Sequence, residues 1–154
     1  KSINDIKVDS AGAFDLNWIK ASWSGQDTIS LNHLENGLIR PLFKDARIHF
    51  ALVCAAKSCP ALWAKPYTEK NVSIQLQNQT REFFKDKRQV SYRQQDNTLL
   101  ISKIFKWYQV DFVDDAGTLR DYLLREIKRA TGQAIPSNVT ISFHDYSWDL
   151  NQAP

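Results

Sequence analysis

The residues best suited to covalent chemistry lie in one stretch, His49-Phe50-Ala51-Leu52-Val53-Cys54-Ala55-Ala56-Lys57-Ser58-Cys59, followed by Pro60. It holds both cysteines of the chain and one of its three histidines. A cysteine attacks only as its thiolate, and a histidine titrates where it can take the thiol proton. Cys59 is the candidate nucleophile. Proline suits the first position of a helix, so Cys59 before Pro60 reads as a helix N-cap, where free N–H groups and the helix dipole favour a thiolate. Backbone N–H groups around Ser58 and Cys59 would add part of an oxyanion hole, and Lys57 adds positive charge. His49 is the candidate base. The competing reading makes Cys59 an inert turn cysteine and His49 a core histidine bonded to a backbone carbonyl.

The elements around these residues must position them. Residues 47–55 read as a strand buried on both faces, because the run is short and nearly continuous in apolar side chains. Alternation then sets His49, Ala51 and Val53 on one face and Phe50, Leu52 and Cys54 on the other. Cys54 therefore reads as a small core residue pointing away from His49. A small-loop disulfide between Cys54 and Cys59 is the alternative. His49 meets Cys59 only if the chain curls back after Ala55. Glu35 is the candidate partner to orient the imidazole, with Asn151 and Asp145 as other choices. Trp107, Tyr108 and Asn151 are candidate ligand contacts, and the two aromatics read equally as core. His33 and His144 read as surface residues.

Helical spacing of Leu31, Leu34 and Leu38 predicts a helix capped by Ser30 and ended by Pro41. A longer helix is expected from Thr68 to about Lys87, with Val72, Leu76, Phe83 and Phe84 inward. Val90 to Tyr92 and Leu99 to Ser102 predict a hairpin across Asp96-Asn97. Residues 104–112 read as an aromatic helix. Leu119–Thr131 reads as an amphipathic helix stopped by Gly132, with Leu119, Tyr122, Leu123 and Ile127 inward. A last strand is expected over residues 139–143. This pattern is α+β, a small and mainly antiparallel sheet packed with several helices.

Composition narrows the function classes. A length of 154 residues suits one domain over residues 1–154. Five Trp, five Tyr and eight Phe argue against disorder. A net charge of +3 with dispersed basic residues, and no nucleic-acid motif, argues against a nucleic-acid partner. No apolar run approaches the roughly 20 residues of a membrane helix. His33, His49, Cys54 and Cys59 match no usual zinc spacing, so no metal is expected, and nothing implies a cofactor. The chain has no methionine and starts at Lys1, as expected of a piece of a longer precursor.

Several blocks together resemble domain-of-unknown-function family 547 of bacteria and plants. They are Leu31-Asn32-His33-Leu34-Glu35-Asn36-Gly37-Leu38-Ile39-Arg40-Pro41, the run from Arg47 to Pro60, Ser102-Lys103-Ile104-Phe105-Lys106-Trp107-Tyr108 with Asp111-Phe112, and Asp145-Tyr146-Ser147-Trp148-Asp149-Leu150-Asn151. The resemblance implies a papain-like or transglutaminase-like relationship, and an upstream helical segment of the same precursor before Ser2-Ile3. It also implies that plant-type members carry serine at the position of Cys59.

Two functions are expected from different classes. One is a Cys-His thiol enzyme, a hydrolase or acyl transferase acting on peptide or amide bonds. The other is a non-catalytic module holding a peptide end or a small thiol such as glutathione, or an assembly domain. A reactive cysteine that forms mixed disulfides suits a periplasmic or secreted location.

Overall fold

The computed structural model describes residues 2–5, 7–8 and 11–152. Two compact units emerge. The first comprises Lys1–Asp45, Ala55–Lys57 and Trp148–Pro154, and the second Ala46–Cys54 and Ser58–Ser147. The architecture is α+β, as the sequence pattern leads one to expect, with small and mostly antiparallel sheets.

In the first unit, β1 (Lys7–Val8) pairs antiparallel with β2 (Ala11–Gly12), and β3 (Ile19–Lys20) with β4 (Thr28–Ile29). Ala21 and Ile29 are buried there. Ser30 caps the following helix as expected: its hydroxyl accepts from the His33 N–H at 3.1 Å. Pro41 does not end that helix. Residues His33–Ile39 form π-helical turns, and α1 (Arg40–Phe43) continues them. The Arg40 N–H donates to the Glu35 carbonyl five residues back. This resets the ladder so that Pro41 falls in the first turn of α1, where a missing N–H costs nothing. Lys44, at φ 49°, stops the helix.

In the second unit, the expected strand over residues 47–55 is a 3-10 helix, Ala46–Phe50. Ala46, Ile48, His49 and Phe50 are all buried in it. Short apolar runs carry no decisive period, and here the helical spacing of Ala46, His49 and Phe50 wins over β propensity. The face alternation inferred for His49 and Cys54 falls with the strand.

Helix α2 (Val72–Lys85) buries Leu76, Phe83 and Phe84, while Val72 in its first turn stays 39% exposed. The hairpin forms as expected: β5 (Val90–Arg93) pairs antiparallel with β6 (Thr98–Ile101), and Asn97 takes the left-handed turn position at φ 49°. The aromatic helix is broken in two at Tyr108, giving α3 (Ile104–Trp107) and α4 (Gln109–Ala116). Helix α5 (Leu119–Thr131) has the expected bounds, capped by the Thr118 hydroxyl, which accepts from the Asp121 N–H. Gly132 ends it at φ 75°. Strand β7 (Thr140–Phe143) then pairs parallel with β6, which the long helical crossover permits.

The core of this unit is aromatic. Phe50, Phe83, Phe84, Phe105, Phe112 and Tyr122 are buried, with Phe50 tilted against Phe83 at 4.4 Å and Phe105 against Phe112 at 4.9 Å. No helix among the described residues is long and apolar enough to cross a membrane.

Candidate functional site

Cys54 and Cys59 are joined by a disulfide. Both residues are half-buried. Of the two sequence readings of Cys54, the small-loop disulfide is therefore the one realised, and the inert core cysteine is not. Cys59 is also no helix N-cap. The chain from Pro60 to Asn71 contains no helix, so no helix dipole acts on the sulfur. An exposed stretch rich in turn-forming residues separates Pro60 from α2, and proline alone could not nucleate a helix across it.

Other forces hold the segment around Cys59. The buried Gln89 amide donates to the Ser58 and Cys59 carbonyls at 3.3 and 3.2 Å. The Ser147 N–H donates to the Ser58 hydroxyl at 2.9 Å, and the Ser58 N–H donates to the Ser147 carbonyl at 3.4 Å. This last bond engages one of the N–H groups, that of Ser58, that the sequence offers to an oxyanion hole.

Tyr146 stands beside the disulfide. Its hydroxyl lies 3.4 Å from the Cys54 sulfur and 3.4 Å from the Cys59 sulfur. A disulfide sulfur has no proton, so the hydroxyl is the donor in both contacts. The Cys54 N–H also donates to the Cys59 sulfur at 3.0 Å. Burial pushes the Tyr146 hydroxyl up to about 12, so it stays a protonated donor at any ordinary pH. Trp107 packs edge-on against the Tyr146 ring at 4.7 Å and is 44% exposed.

His49 is 2% exposed. Its Nε2 lies 2.6 Å from a carboxylate oxygen of Asp111, and its ring stacks on Tyr108 at 3.9 Å. The core-histidine reading is right about burial, and the polar partner at Nε2 is a carboxylate. Tyr108 and Asp111 sit three residues apart, so the start of α4 presents stacking ring and carboxylate to the same imidazole. The sequence carries that signal, since Asp111 follows Tyr108 at helical spacing, whereas Glu35, the expected partner, lies in the other unit. Tyr146 and Gln89, by contrast, gave no local sign of their roles.

The remaining candidates fall elsewhere. Glu35 lies on the π-helical turns of the first unit. Lys57 pairs with Asp149 at 3.5 Å, and the Asn151 N–H donates to the Ala55 carbonyl, all within that unit. Asp145 lies 3.9 Å from Lys103. His33 is exposed, and the His144 Nε2 lies 3.4 Å from the Ser91 hydroxyl. Among the described residues, no group of three or more His, Cys, Asp and Glu could hold a metal ion.

The second unit thus contains a disulfide under a phenol and a histidine oriented by a carboxylate. The adjacent residues Trp107 and Tyr108 contact one centre each. No curated protein and no solved structure matches this chain. Residues 17–84, which include His49, Cys54 and Cys59, match the family model described as "Protein of unknown function, DUF547", and this bears out the resemblance to domain-of-unknown-function family 547 over the blocks at residues 31–41 and 47–60.

Proposed function

We propose that this domain is a thiol centre, in which the Cys54–Cys59 pair exchanges with a small thiol such as glutathione or with the cysteine of a peptide. The observation that carries this reading is the half-buried disulfide between the chain's two cysteines. As a purely structural staple the bond closes a very short loop, worth about 2 kcal/mol of chain entropy. Gln89 and Ser147 already fasten that segment by hydrogen bonds. The exchange is balanced in itself. The incoming thiolate forms a bond to one cysteine sulfur, the Cys54–Cys59 bond breaks, and its electron pair leaves on the other sulfur as a thiolate. The incoming thiol is the reductant. An oxidising compartment, periplasmic or extracellular, suits such a resting disulfide.

A second reading rests on a separate observation, the His49–Asp111 pair. An imidazole oriented by a carboxylate is the base arrangement of acyl-transfer enzymes. In that reading the reduced Cys59 attacks a peptide or amide carbonyl, and the His49 imidazole takes the thiol proton and gives it to the departing amine.

One experiment separates them. The oxidised protein is incubated with reduced glutathione near pH 7, quenched in acid and weighed intact. The thiol-centre reading expects a transient glutathione adduct in the wild type quenched early, and unchanged peptides when a library is added to the reduced protein. Opening no faster than in a free peptide of residues 50–62 overturns it. Cleavage of library members by reduced protein, abolished in Cys59→Ala, transfers the function to the acyl-transfer reading.

A further inference from the structure

We infer that Tyr146 is a catalytic residue of this exchange, and that the Cys54 N–H makes Cys59 the sulfur that departs as thiolate while Cys54 takes the incoming thiol. This inference rests on the thiol-centre reading and assigns the two sulfurs different parts in it.

The geometry is unequal at the two sulfurs. The Tyr146 hydroxyl reaches both at 3.4 Å, so it does not distinguish them. The Cys54 N–H adds a second donor at Cys59, at 3.0 Å. Two donors hold negative charge better than one, so the Cys59 thiolate is the better leaving group. The external thiolate therefore bonds to the Cys54 sulfur. The Cys54–Cys59 bond breaks, and its electron pair stays on Cys59. The reverse step has the Cys59 thiolate attack the Cys54 sulfur of the mixed disulfide, expelling the small thiol and restoring the starting bond.

Tyr146 is suited to donate rather than to take a proton. Burial keeps its hydroxyl protonated across the pH range of thiol exchange. Its ring is fixed against Trp107, so the donor is in place before the charge develops. Trp107 is partly exposed and flanks this position, which makes its open face a contact for the incoming thiol's own chain.

Tyr146→Phe keeps the ring on Trp107 and removes only the hydroxyl, so a packing role would survive the change. In the reduced protein, iodoacetamide labelling of Cys59 is followed against pH in a Cys54→Ser background, with and without Tyr146→Phe. A hydrogen bond to a charged sulfur predicts that the labelling midpoint rises by about one pH unit without the hydroxyl. Opening of the oxidised protein by glutathione is expected to slow about threefold to tenfold in Tyr146→Phe alone. In the wild type quenched early, the adduct is expected on Cys54. If the wild type never forms an adduct, the thiol-centre reading itself fails. If it forms one and Tyr146→Phe matches it in midpoint and rate, or if the early adduct sits on Cys59, the assignment made here is overturned while that reading stands.

Discussion

Asp111 meets a histidine that water barely reaches, with 2% of His49 exposed and the two side chains 2.6 Å apart. Removing one member of such a pair leaves the other with an unmet polar atom in the interior, which costs more than the bond itself contributes. Asp111→Ala is expected to destabilise the fold by about 1–3 kcal/mol, read as a lower urea midpoint with an unchanged slope. Asp111→Asn, which can still accept from an imidazole N–H, is expected to lose less. Equal losses in both variants would mean that packing, not the hydrogen bond, is what Asp111 supplies. At this scale the residue types were legible and the partners were not. Cys59 and His49 announce themselves by chemistry, but Asp111 is 62 positions from His49 and Tyr146 is 87 from Cys59. No local pattern reports a contact over such a separation.

The junction between α2 and β5 shows how an element can depend on one carboxylate. The Arg88 guanidinium and N–H both donate to Asp86, and this holds the carboxyl below the usual carboxylate range. A carboxyl whose folded value is depressed stabilises the fold above its unfolded value of about 3.9, and that stabilisation is lost as pH falls through the folded value. The wild type is therefore expected to lose stability through the region below about pH 4 partly at this turn. Asp86→Asn should lower stability at pH 7 and flatten that acid limb, measured as thermal midpoints from pH 2 to pH 7. An acid limb of unchanged slope would rule the pair out as a contributor. Element existence was largely readable where capping and period agreed. Thr118 and Gly132 bracket α5 at both ends, and its bounds follow. The strand expected over residues 47–55 does not form, because β-branched and aromatic side chains in a short run fit strand and helix alike. Pro41 does not stop the helix, because proline ends a helix only where its N–H is needed.

Across the molecule, stability is concentrated in the aromatic core of the second unit. Phe105 is fully buried and meets Phe50, Phe83, Phe84, Phe112 and Tyr122. Phe105→Ala is expected to cost about 3–5 kcal/mol, a large share of the total for a domain of this size. Denaturant unfolding followed by tryptophan fluorescence checks it, and a loss under about 1 kcal/mol would show that the neighbouring rings close the cavity. Composition, helix periods, caps and turn residues were enough to define an α+β chain and most of its elements, because those signals are local and each residue carries its own share. The state of the cysteines, the partner of His49 and the hydroxyl over the disulfide were settled by packing. The last two join positions far apart in the chain, 62 and 87 residues, brought together only when the aromatic side chains bury one another. The stretch from His49 to Cys59 names the chemistry available, and the folded second unit determines which sulfur, ring and carboxylate stand together.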